Sequence, residues 1–98
     1  MEKENIRPDL TRVSSFMDWE GEVPDSEAEL KDWLSQRIGQ MLQNQSERLM
    51  QAFYRLDISE PKVKAVFSSC APELWPDLLA GLVLEREKER AYWRAKYQ

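Results

Sequence analysis

From residue 26 onward, apolar positions recur at steps of three and four, the rhythm of a helix that buries one face. Leu30, Trp33, Leu34, Ile38, Met41 and Leu42 make the first such stripe, with Ser35 and Gly39 lying off it. Ahead of it, Ser26 and Glu29 have the spacing of a capping box, in which the serine oxygen takes an amide that the helix leaves unpaired. A helix is therefore expected to start at residue 27. The stripe lapses through Gln43-Asn44-Gln45-Ser46, where Asn44 and Glu47 repeat the capping spacing. The pattern favours a break or kink there, with Asn44 as the cap, and leaves a single long helix through this point as the alternative. A second set, Leu49, Met50, Phe53 and Leu56, stops near Asp57.

The cleanest amphipathic signal is Val63, Val66, Phe67 and Cys70, at i, i+3, i+4 and i+7. Ser59 is its expected cap. Pro61 then falls in the first turn, where no intrahelical bond is lost, and Ile58 against Val63 forms a hydrophobic staple. Ala71-Pro72 ends the helix, because a residue before proline is pushed out of the helical region. The turn Glu73-Leu74-Trp75 offers two large apolar groups to plug one end of a core. Pro76 suits the first position of a last helix running to Tyr97, 22 residues or ~33 Å long. Leu78 to Leu84 is apolar all round, with Gly81 placed to let a neighbouring helix approach closely. Glu85 to Gln98 is charged with Tyr92, Trp93 and Tyr97 embedded, and is expected to project beyond the core or to reach across to something else.

Residues 1–25 carry Pro8, Gly21 and Pro24 and show no sustained period, so they read as an acidic arm, mobile or loosely docked. Val13, Phe16, Met17 and Trp19 form a short apolar cluster within it, suited either to folding back on the core or to docking on a partner. The expected architecture is all-α: a small four-segment helical bundle over residues 26–98, with helices near 27–43, 46–57, 60–70 and 76–97, preceded by an extended N-terminal arm.

Composition narrows the chemistry. Ninety-eight residues suffice for one small core. The chain has no histidine, which removes the commonest general base and metal ligand. Its one cysteine, Cys70, excludes an intrachain disulfide and a thiolate-clustered zinc site. Net charge is −4, the wrong sign for coating phosphate backbones. The imbalance is uneven: residues 1–32 hold ten acids and four bases, whereas residues 33–98 hold eight acids and ten bases. The first residues lack the basic start and apolar stretch of a secretory signal. The uncharged apolar run Leu78–Leu84 is far short of the ~20 residues that cross a bilayer. These features point to a cytoplasmic protein.

Asp57, Glu60, Glu73 and Asp77 gather near helix ends and could in principle form an acid/base pair or a cation site. Their spacing has no calcium-loop form, and acids near helix starts are favoured by the helix dipole alone. Cys70 closes an apolar stripe with no histidine to take its proton, which fits a core residue better than a nucleophile. No phosphate-binding glycine loop or nucleophile elbow occurs. No catalytic residue, metal ligand or cofactor site is expected.

The last helix carries the functional expectation. Arg86, Arg90, Trp93, Arg94 and Tyr97 fall at steps of three and four, which brings guanidinium groups and aromatic faces together as a partner-binding surface. The charges alone also fit helix-stabilising pairs: Glu85 with Lys88, Arg86 with Glu89, and Glu87 with Arg90. The aromatics do not, and three destinations remain for them: the chain's own arm, a second copy of the chain, or a foreign partner. The function expected is a noncatalytic protein-interaction module or small adaptor acting through this helix, with a homodimer as one form of it and no small-molecule substrate. The alternative is a nucleic-acid-associated regulator reading through Arg86, Arg90, Arg94 and Lys96.

The segments Phe53-Tyr54-Arg55-Leu56-Asp57-Ile58-Ser59-Glu60 and Leu78-Leu79-Ala80-Gly81-Leu82-Val83-Leu84-Glu85-Arg86 together resemble a pattern in small uncharacterised bacterial helical proteins. The resemblance spans roughly residues 27 to 90. It implies a bacterial, intracellular, all-helical protein, and brings no activity and no functional residue with it.

Overall fold

The computed structural model describes residues 26–97, which form four α-helices and no strands. Helix α1 spans Glu27–Asn44, α2 Ser46–Arg55, α3 Glu60–Ser69 and α4 Trp75–Lys96, with a 3₁₀ turn over Pro72–Leu74 leading into α4. The arm, its apolar cluster Val13, Phe16, Met17 and Trp19, and Gln98 lie outside the described residues.

Local chemistry starts the helices where the spacing predicts. The Ser26 hydroxyl accepts the Glu29 amide at 3.2 Å, and Ser59 accepts the Lys62 amide at 3.4 Å. Each satisfies one of the donors that a helix start leaves unpaired. The expected break after α1 is present, but Asn44 does not cap the next helix. Asn44 is instead the last residue of α1, and Gln45 turns the chain at φ −147° with no side-chain cap. The backbone bonds Gln45 N–H to Met41 O and Leu49 N–H to Gln45 O bridge the corner, so the turn needs no side-chain acceptor.

Helix α4 runs antiparallel along α1. Lys88 pairs with Glu27 at one end, and Pro76 lies 3.6 Å from where a Cβ on Gly39 would sit at the other. The core between them takes Leu30, Leu34, Ile38 and Met41 from α1 and Leu79, Ala80, Val83 and Leu84 from α4. Leu49, Ala52 and Phe53 of α2 close one side, and Val63 and Val66 of α3 another, joined by Leu56 and Ile58 from the connection. Most positions of the expected stripes are thus buried or half-buried, whereas Met50 of the second set is 37% exposed.

Three expectations for the second half are corrected. Leu74 does not plug the core: it is 51% exposed. Trp75 alone turns inward, edge-on to Phe67 at 4.9 Å, with its indole N–H donating to the Cys70 carbonyl at 3.0 Å. Cys70 is half-buried at the end of α3 and stands outside the central cluster. Among the described residues no neighbouring helix closes on Gly81, since a Cβ built there meets nothing outside its own helix backbone within 4 Å. The charged half of α4 reaches across to other elements through Glu85, Arg86, Lys88 and Arg90, the second of the two courses expected of it. Glu87 and Ala91 are buried, and only from Tyr92 onward is every described residue exposed. Among the described residues, no helix is long and apolar enough to cross a membrane.

Candidate functional site

The turn between α2 and α3 decides what α4 can present. Asp57 takes φ 66°, the left-handed region that follows many helices and that glycine enters most cheaply. Its amide bonds to the Tyr54 carbonyl at 3.1 Å, and the next amide, of Ile58, to the Phe53 carbonyl at 3.0 Å. This is the paired closure of a Schellman turn. It aims the Asp57 carboxylate at α4, where Arg86 lies 3.5 Å away and Arg90 3.6 Å. Arg90 also donates to the Leu56 carbonyl at 3.3 Å, one of those left over at the end of α2.

Two of the five residues expected to form a partner surface are therefore held inside the fold. Arg86 further donates to Glu89 at 3.1 Å, and the Arg90 Nε lies 3.6 Å from the carboxylate of Glu87, which is only 1% exposed. The pairs Arg86–Glu89 and Glu87–Arg90 occur as the spacing suggests. Glu85 and Lys88 do not pair with each other; Glu85 turns to Lys62 of α3 at 3.9 Å, and Lys88 to Glu27 of α1. A shallow cavity of about 170 Å³ lies beside this network, between the α2–α3 turn and α4. Lys62 and Arg86 line it together with Asp57, Glu85 and Glu89, so no single charge dominates it.

The other three expected residues, Trp93, Arg94 and Tyr97, lie on the exposed last turns of α4. Trp93 and Tyr97 stack nearly parallel, 5.5 Å between centroids and 9° between planes. Tyr92 meets the Trp93 ring edge-on at 5.3 Å, and the Lys96 ammonium sits 5.7 Å from the Tyr92 ring centre. Trp93 is 48% exposed and Tyr97 74%. The three rings thus form one contiguous aromatic cluster with the Lys96 cation beside Tyr92, and the sequence from Arg90 to Gln98 holds no acidic residue. Tyr92 and Lys96 belong to this cluster although the arginine–aromatic spacing passes over them; adjacency in sequence to Trp93 and Tyr97 was the available signal.

Three of the four carboxylates weighed for catalysis take different basic partners. Asp57 faces Arg86 and Arg90, Glu60 pairs with Lys64 at 3.5 Å, and Asp77 with Lys31 at 3.9 Å. Among the described residues, no group of three or more Cys, Asp or Glu side chains is placed to hold a metal ion. No family model, curated protein or solved structure matches the chain.

Proposed function

We propose that the chain is a noncatalytic protein-interaction module of the cytoplasm, docking through the last turns of α4. The observation that carries this reading is the cluster of Tyr92, Trp93 and Tyr97, with Tyr92 edge-on to Trp93, Trp93 stacked on Tyr97, and all three exposed. Tyrosine and tryptophan offer large contact area at the loss of few rotamers, and with arginine they dominate interface hot spots. Stacking fixes the rings before any partner arrives, which lowers the entropy lost on docking. The internal pairing of Arg86 and Arg90 leaves less cationic surface for a phosphate backbone than the sequence spacing suggests, which favours a protein over a nucleic acid.

The test compares the full chain with its Trp93→Ala/Tyr97→Ala variant, each immobilised in a native extract at moderate salt. Proteins retained by the first and lost by the second are expected, while a Tyr54→Ala control on α2 retains them. Identical capture by all three chains would overturn the assignment of this surface.

A further inference from the structure

Helices α1 and α4 keep one register from end to end: twelve positions separate Glu27 from Gly39, and twelve separate Pro76 from Lys88, the residues set against them. Helix α4 then runs on past the start of α1, by eight residues to Lys96 or ~12 Å at 1.5 Å per residue. Helix α1 no longer lies beside this overhang. Ala91 within it is nevertheless only 6% exposed, and it stands outside the apolar cluster that the four helices share. The segment next in line to cover it is the one that leads into α1.

That segment differs in charge from the residues before it. Residues 1–12 hold three acids and three bases, whereas residues 13–25 hold Asp18, Glu20, Glu22 and Asp25 and no base. The dipole of α1 favours acids only close to its first turn, which accounts for Asp25 and not for the other three. The overhang has the opposite composition, three bases and no acid from Arg90 to Gln98. Arg90 is already engaged by Asp57 and Glu87, whereas Lys96 meets a ring and, among the described residues, no carboxylate. Trp19 lies seven positions before Ser26, a reach of up to ~23 Å when extended, which exceeds the overhang to be covered.

We propose that residues 18–25 of the same chain lie along the last turns of α4, over Ala91, with their acids toward Lys96 and Trp19 against the rings of Trp93 and Tyr97. The inference rests on the reading of these turns as the docking surface and adds its regulation: a foreign partner must displace the arm. Because the arm is tethered within a few residues of its site, a contact that would be weak between separate molecules is enough to hold it there.

The full chain carries the test. A nitroxide attached at Ser15→Cys, with Cys70→Ser to leave one thiol, should broaden the indole N–H resonance of Trp93 and spare that of Trp75, eighteen positions away at the other end of α4. Trp19→Ala, and separately Glu20→Lys/Glu22→Lys, should each lift most of that broadening. Retention of partner proteins by Trp19→Ala should rise roughly fivefold or more, since a partner binds only the fraction of molecules whose site is open. Trp93 broadened no more than Trp75, or broadening indifferent to both arm variants, would overturn the proposal. Broadening that passes only from a nitroxide-bearing chain to a separate isotope-labelled one would place a second copy on this surface and equally overturn it. Capture that is lost on Trp93→Ala/Tyr97→Ala with no broadening would remove the arm contact and leave the docking module standing; broadening in a chain that captures nothing would do the reverse.

Discussion

The carboxylate of Asp57 lies 3.6 Å from the guanidinium of Arg90, thirty-three positions later in the chain. This contact joins the turn after α2 to the middle of α4. It also accounts for an aspartate where a left-handed backbone would ordinarily select glycine. Strain at such a residue is about 1 kcal/mol, and ion pairs at a half-exposed site return a similar amount.

Asp57→Gly removes the strain and the ion pairs together, so its stability should stay within about 0.5 kcal/mol of the parent. Asp57→Ala keeps the strain and loses the pairs, and should cost about 1–2 kcal/mol. Urea unfolding monitored by circular dichroism separates the two, with the slope of the transition unchanged in both. Equal losses would show that the ion pairs and not the backbone govern this turn.

Arg90 and Trp93 were expected to serve one surface, and the fold assigns them different tasks. Arg90→Ala strips a cation from beside the buried Glu87 carboxylate and from the Leu56 carbonyl, so a loss of about 2–4 kcal/mol is expected. Trp93→Ala removes a half-exposed ring and should cost less than about 1 kcal/mol. Thermal unfolding of both variants at matched concentration checks the contrast.

Gly39 occupies a helix interior, and a methyl group there would meet Pro76 at 3.6 Å, an ordinary van der Waals distance. Gly39→Ala should therefore stabilise the chain by about 0.5–1 kcal/mol through helix propensity and reduced freedom of the unfolded state. A lower denaturation midpoint would mean that α1 and α4 approach more tightly than this spacing allows.

Ser59 caps α3 through its hydroxyl, whereas Asn44 caps nothing. Ser59→Ala should cost about 1 kcal/mol, and Asn44→Ala should leave stability unchanged within about 0.3 kcal/mol. Parallel urea titrations of the two variants give the comparison directly.

The sequence by itself determined the helices, because what makes them acts over three or four residues. Ser26 and Ser59 reach amides three positions on, and the apolar stripes of α1 and α3 need only a constant angular step to find one side. The same locality explains the miss at Asn44, whose spacing copies a capping box while the backbone at Gln45 closes the corner without it. Only the tertiary structure decided how α4 is turned about its own axis. That rotation sends Leu74 and Leu78 outward, opens space beside Gly81, and draws Arg86 and Arg90 onto Asp57 while leaving Tyr92, Trp93 and Tyr97 in solvent. No rule of local spacing contains it, since it is set by the summed packing of α4 against α1, α3 and the turn that follows α2.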